Sequence, residues 1–421
     1  IYRICEYLGI ADKVHLRDVD DDCTDSLYFA EDQTTYHIKK GKEGFVSSLA
    51  EHFPEERANL EAYVDAVHRL TDEVDLFYLR PSNDFFPVHS EEFNLAADAF
   101  IAKYIQNPKL RNVVAYMNPL YGGMADATPA YVHAIVSVLY MQGASRFVGG
   151  SDCFAQLLVS VIESAGGEVR CNEGAEWVEV SNRHVDYVRS TKGQEYRADH
   201  YISAIHPCTL LPLLSEKAFP KAYRTRLNDI PNAYSAFSVY VKFKPETFPY
   251  INHSEYYMTR YDKVWHFGEH HDTWPLGFLF MTPPEDNQGK YADKALITAP
   301  MVFEEVEKWA QTTVGRRGKD YELWKKEQAQ RLLERIEEIH PGFNACVDKV
   351  NTASPLTIRD YYGAKDGTMC GFSKDYKNTV LSQLPVVTKV DNLLLTGQYN
   401  NLPGFCGVPL TAINTVEAIL G

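Results

Sequence analysis

Three leucines, Leu393 to Leu395, are followed by Gly397 and then by Gly407-Val408-Pro409-Leu410-Thr411-Ala412, and this is the pattern with the clearest chemical content. A short apolar run of this kind forms a buried parallel strand. A glycine after it serves where the backbone turns tightly or passes close to another group. Proline is tolerated in a first helical turn, where its missing N–H costs nothing. The spacing therefore predicts strand, glycine turn and a helix beginning at about Val408. The free N–H groups and positive dipole end of that helix would face whatever lies beside Gly397, and an electron-rich ring carbonyl or a phosphate suits such a place. The unit reads as a cofactor cradle.

Other clusters carry less. His266 and Glu269-His270-His271-Asp272 hold metal-ligand residue types, but no second cluster completes a site, so no metal is expected. Asp18-Val19-Asp20-Asp21-Asp22 lacks the glycine and terminal glutamate of a calcium loop and reads as a solvated turn. Asp84-Phe85-Phe86-Pro87 is a candidate apolar loop tip for transient contact with a bilayer surface, the alternative being burial among helices.

Composition narrows the classes further. A net charge of −15 argues against nucleic acid and polybasic membrane contact, both of which need dense Lys and Arg. The 421 residues, 45% hydrophobic and 24% charged, fit an ordinary globular chain of two or three interleaved domains. The most apolar stretch, 131–140, contains His133 and is too short to span a bilayer. No signal peptide is visible. The 8 cysteines are scattered without a CxxC, which points to a reducing, cytoplasmic compartment.

The elements that must position the cradle follow from periodicity. Ile1, Ile4, Cys5 and Leu8 lie on one helical face closed by Gly9, with no N-cap before them. Residues 25–40 read as strand, turn, strand; from Gly44 to about Gln142 the pattern is mainly helical, with Leu60, Val64 and Val67 on one face after Pro54-Glu55-Glu56. Gly149-Gly150-Ser151 opens a helix with Phe154, Leu157, Leu158, Val161 and Ile162 on its apolar side. Strands are predicted at 168–171, 175–180, 184–190 and 196–204, a meander returning to a main sheet. The alternation of 235–243 predicts an antiparallel sheet with one covered face, and helices are predicted at 300–315 and 319–340.

The order of Gly149-Gly150-Ser151, the Gly166-Gly167 hairpin, Ile202-Ser203-Ala204-Ile205-His206-Pro207, Gly367-Thr368-Met369-Cys370-Gly371 and the C-terminal block resembles the flavin-dependent phytoene desaturase, carotenoid isomerase and retinol saturase family. The resemblance covers nearly the whole chain and is most specific over 143–207 and 355–421. It implies a mixed α/β fold: an incomplete Rossmann-like FAD-binding domain interleaved with an antiparallel-sheet substrate domain and a helical subdomain. The implied boundaries are 1–42 for an N-terminal remnant and hairpin, 43–145 for the helical subdomain, 146–207 and 361–421 for the FAD-binding parts, and 208–360 for the substrate sheet. Gly149, Gly150, Ser151 and Ala175 would serve the nucleotide end of FAD, and Gly397, Gln398, Gly407 and Val408 the ring. Tyr361, Tyr362 and Tyr399 would line the substrate site.

Three departures accompany the resemblance. Gln398 stands where many relatives have an acid, although an amide can make the same hydrogen bond. The closing phrase, Pro403-Gly404-Phe405-Cys406-Gly407-Val408, is one residue longer than the family's, and no GxGxxG occurs in the 421 residues. With the uncapped start, this implies a truncated form of a longer protein that holds FAD weakly. The implied chemistry is hydride exchange at C=C or CH–CH bonds of a long apolar polyene, without a nameable acid or base. Aromatic content of 13%, with 27 tyrosines and 21 phenylalanines, suits a tunnel for such a chain. A non-catalytic binder of apolar ligands and an amine-oxidase-like flavoenzyme with an aromatic cage are the alternatives.

Overall fold

The computed structural model describes residues 2–80, 88–286, 289–378, 384–400 and 403–421, which build a mixed α/β protein. The Asp84-Phe85-Phe86-Pro87 tip lies outside the described residues. The chain divides into two compact units, one from 1–14, 154–233 and 358–421 (unit 1) and one from 15–153 and 234–357 (unit 2).

Unit 2 is built on a seven-stranded sheet in the order Val347–Ala353, Ser235–Phe243, Lys294–Met301, Gly277–Met281, Ser254–Met258, Asp25–Phe29, Thr34–Ile38. Lys294–Met301 alternates buried and half-buried residues, as a period of two requires. The sheet departs from the antiparallel expectation at one join: Ser254–Met258 runs parallel to Asp25–Phe29. The N-terminal hairpin is thus added at an edge from a distant part of the chain. Ser235 to Val239 are also buried on both faces rather than one, and only Tyr240 and Lys242 of that strand reach solvent. The covering element is the helix Lys319–Ile339, whose Leu332, Leu333 and Ile336 pack with Phe237, Val239 and Phe280. Helices Lys42–Ala50, Arg57–Asp72, Ala97–Tyr104, Pro108–Val113 and Ala130–Met141 fill the predicted helical stretch, with Leu60, Val64 and Val67 buried.

Unit 1 holds a two-stranded parallel sheet, Leu393–Leu395 beside Tyr201–Ser203, and a three-stranded antiparallel meander of Ala175–Ser181, His184–Ser190 and Glu195–Tyr196. The expected strand at 168–171 is irregular, because a strand needs a partner for its backbone groups and none of the described residues pairs with it. The expected helix over 300–315 is a shorter 3-10 turn, Phe303–Trp309. The C-terminal helix begins at Gly404, ahead of the expected Val408. Gly407 is therefore buried inside a helix, where it reads in sequence as a break, and Pro409 sits in the second turn. Of the helix Asp152–Ser164 only Phe154 is buried, and Ile162 is 43% exposed although the pattern predicts it on the covered side.

Leu332 is fully buried between the covering helix and the sheet of unit 2. Leu332→Ala is expected to destabilise the protein by about 2–5 kcal/mol through lost burial and the cavity left behind, read as a lower urea midpoint with unchanged slope.

Candidate functional site

The leucine strand of unit 1 is fixed at both ends. Just before it, the buried Asn392 amide accepts from the Val185 N–H at 2.7 Å and donates to the Val185 carbonyl at 3.1 Å, holding the strand to the meander. At its end the Leu395 carbonyl lies 3.1 Å from the Thr415 hydroxyl of the C-terminal helix, which shares its single proton with the Thr411 carbonyl at 2.8 Å. The parallel register pairs Leu395 with Ser203, and the Thr396 N–H continues it by donating to the Ser203 carbonyl at 2.9 Å. Open α/β sheets bind ligands beyond the carboxyl ends of such strands.

The turn there has the backbone that the sequence predicts. Gly397 has φ +96°, and a Cβ on it would lie 3.4 Å from the Ala204 carbonyl oxygen. Gly371, at φ +74°, presses from a second turn: a Cβ there would stand 2.9 Å from the Tyr399 ring and 3.2 Å from the Gln398 carbonyl oxygen. That second turn is stitched to 231–233 by the Ala233 N–H donating to Gly371 and the Ser373 N–H donating to Pro231, at 2.8 and 2.9 Å. Tyr399 is buried at 4% exposure, which pushes its phenol up, while Gln398 is half-buried.

His206 underlies both turns. Its fully buried ring lies 4.6 Å from the Tyr399 ring and 4.8 Å from that of Phe372, centre to centre. Nδ1 accepts from the Cys208 N–H at 3.1 Å, capping the short helix Pro207–Leu210, so the ring proton resides on Nε2, which donates to Asn232 Oδ1 at 3.0 Å. Asn232 in turn donates to Asp366 at 3.0 Å. Burial pushes the imidazole down to about 4, so it is neutral at physiological pH. Lys374, buried beside the second turn, is pushed down to about 7 by the same cause.

Three buried oxygens at this place, Ser203 Oγ, Thr396 Oγ1 and Asn400 Oδ1, find no hydrogen-bond partner among the described residues. Leaving such atoms unsatisfied is costly, and all three belong to residues at or just past the two strand ends that flank Gly397, which makes this the candidate ligand position. The first turns of the helices Asp152–Ser164 and Gly404–Leu420 also meet, through Phe154 and Phe405 at 4.6 Å between ring centres. Two positive dipole ends then favour an electron-rich group. Orphaned acceptors and hydroxyls, a glycine at positive φ and helix starts that meet fit the polar ring and hydroxylated chain of a flavin.

Of the residues singled out in sequence, Gly397, Gln398 and Tyr399 share this turn, and Gly407 and Val408 lie inside the helix rather than at its start. Tyr361 and Tyr362, at the end of the helix Pro355–Tyr362, are 72% and 62% exposed, so neither ring is enclosed as a lining residue would be. Ala175 opens the meander and is exposed. In unit 2, Gly149 and Gly150 have φ +80° and +112°; the Gly149 N–H donates to Pro284, Gly150 accepts from the Cys153 thiol, and Ser151 is exposed. The histidine cluster is divided among carboxylates, His266 with Glu269 at 2.7 Å and His270 with Glu305 at 2.5 Å; among the described residues no three such groups could hold a metal ion. Sequence reasoning missed His206, whose signal was a histidine before proline at a helix start, and missed Ser203, Thr396, Asn400 and Lys374, which carry no local signal.

Similarity to known proteins agrees with this geometry. The profile of the flavin containing amine oxidoreductases matches residues 1–418. The all-trans-retinol 13,14-reductase of Rattus norvegicus is 24% identical over 426 residues, covering 91% of this chain and 69% of the relative. The Homo sapiens reductase of the same name is 23% identical over 439 residues with the same coverage, 91% and 69%. Among solved structures, an oxidoreductase from Methanosarcina mazei superposes with a TM-score of 0.63 at 13% identity, covering 98% of this chain and 85% of its own. Cyclohexylamine oxidase from Brevibacterium oxydans gives 0.58 at 12% identity, covering 100% and 86%. Both structural likenesses speak to the fold. A flavin-dependent oxidoreductase by this match across almost its whole length, the chain belongs to the flavin containing amine oxidoreductase family.

Proposed function

We propose that this enzyme uses FAD to add hydrogen across a C=C bond of a long apolar polyene of the retinoid kind. The observation that carries the reading is the match over 91% of the chain to relatives named for reducing all-trans-retinol at its 13,14 bond. FAD, when bound, supplies hydride exchange with carbon, which no side chain of the chain can perform.

The residues of unit 1 have distinct parts in this reading. Gly397 lets the backbone approach the ring closely, and a side chain at φ +96° would be strained as well as obstructive. Gln398 offers an amide to a ribityl hydroxyl in place of an acid, and Ser203 Oγ, Thr396 Oγ1 and Asn400 Oδ1 supply the remaining polar contacts. The start of the helix at Gly404 supports negative charge on the ring. His206 is a positioning residue: neutral and fully bonded, it moves no proton and holds Tyr399 against the second turn.

The amine-oxidase alternative needs two open aromatic faces around a cation. Phe372 and Tyr399 are instead buried and tilted at 67° and 58° to His206, a packed cluster rather than a cage. Incubated anaerobically with FAD, dithionite and all-trans-retinol, the protein is expected to shift the polyene absorption to shorter wavelength as conjugation is lost. Peroxide released from an amine in air, with retinol unchanged, would overturn the reading in favour of amine oxidation. Gly397→Val is expected to lower the retinol rate by about tenfold or more, since a misplaced ring loses near-attack geometry.

The pH dependence follows from His206. Its imidazole is held down to about 4 by burial, against about 6.5 in an unfolded chain. The unfolded state therefore binds the proton first, and stability falls as pH drops from about 6.5 to about 4, by up to about 3 kcal/mol from this residue. His206→Gln should flatten that part of the curve of urea stability against pH.

A further inference from the structure

The loop before the long helix of unit 2 and the first turns of that helix form a cationic surface on an acidic chain. Val314 and Leu323 are 53% and 59% exposed, and between them runs Gly315-Arg316-Arg317-Gly318-Lys319. Lys319, Leu323 and Lys326 are spaced i, i+4 and i+7 on the helix Lys319–Ile339 and so share one face. Residues 315–319 with Leu323 and Lys326 border an open groove of about 620 Å³, whose one acidic lining residue among the described residues is Glu322, and Val314 directly precedes it in sequence.

The charges there are uncompensated. The side chains of Arg316, Lys319 and Lys326 make no ion pair or hydrogen bond among the described residues. The nearby acids are engaged elsewhere: Glu322 faces Lys325 at 3.5 Å, and Asp320 accepts the Trp309 indole N–H at 2.7 Å. Arg317 fixes the loop, donating to the Thr312 carbonyl and hydroxyl at 2.9 and 2.8 Å with its guanidinium 5.5 Å from the Tyr321 ring centre. A chain of net charge −15 thus presents a held cationic groove flanked by two exposed aliphatic side chains.

We propose that the 314–326 surface docks this protein on an anionic bilayer, the cations meeting lipid phosphates while Val314 and Leu323 enter the interface. Charge complementarity selects the occupant. Cationic side chains ringing exposed aliphatics match a negative surface with an apolar layer beneath, and lipid-facing surfaces combine these same two terms. The remaining negative charge of the chain is repelled by such a membrane, so contact is confined to this face. Docking complements the reading of an apolar substrate, which dissolves in bilayers, yet its test uses neither flavin nor substrate, so the two stand or fall separately.

The test is co-sedimentation of the full chain with phosphatidylcholine vesicles, with and without about one-third phosphatidylserine, at low salt. Binding is expected with the anionic vesicles only. Each cation at such a surface contributes about fivefold to binding. The triple variant Arg316→Gln, Lys319→Gln, Lys326→Gln should therefore bind about a hundredfold more weakly, and Leu323→Ser about tenfold more weakly. All four side chains are exposed, and unchanged thermal unfolding of the variants verifies folding. Three results would overturn the proposal: no binding of the wild type to anionic vesicles, equal binding of wild type and triple variant, or binding of inositol hexakisphosphate at this groove without binding to vesicles.

Discussion

The parallel pairing of Leu393–Leu395 with Tyr201–Ser203 is the constraint from which the candidate site in unit 1 follows. Two short strands cannot hold their register by ladder hydrogen bonds alone, so side chains fix it at both ends. Asn392 clamps the strand to Val185 with a fully bonded buried amide, and Thr415 ties its last carbonyl to the C-terminal helix. With the strand fixed, the next residues have little freedom. The chain must turn at once, and only glycine does so at φ +96° without strain. The turn then rests on Tyr399, which rests on His206 and the glycine of a second turn.

Electrostatics at this place follow from the same packing. Burial strips water from His206 and Lys374, so that one is neutral throughout the physiological range and the other is held near 7. Low-dielectric surroundings strengthen the partial charges there, among them the helix starts and the orphaned oxygens of Ser203, Thr396 and Asn400. Such an environment suits chemistry carried by a cofactor, because it orients and shields a reactive ring while His206 stays neutral.

Much of this was legible in the sequence where one physical rule decides the outcome. The leucine run, Gly397 and the amphipathic faces of the long helices each follow from periodicity or backbone sterics, and the order of glycine phrases carried the family. What was not legible depends on partners distant in sequence. Residues 168–171 have the composition of a strand yet pair with nothing described, and the edge joining Ser254–Met258 to Asp25–Phe29 in parallel comes from residues more than two hundred positions apart. The helix start is not legible because Gly407 reads as a break in sequence, whereas tertiary packing places it within a helix. Tyr361 and Tyr362 resemble pocket residues by type, but exposure is a property of the fold. His206 was hidden because a buried, neutral, capping histidine leaves no periodic trace.

The central claim is that the Gly397 turn and the start of the C-terminal helix receive the flavin. Hydrogen–deuterium exchange of the full chain, with and without saturating FAD, tests it most directly. The account requires slower exchange on adding FAD at 203–206, 396–400 and 403–408. Unchanged exchange in those three segments while FAD binds and protects others would contradict it.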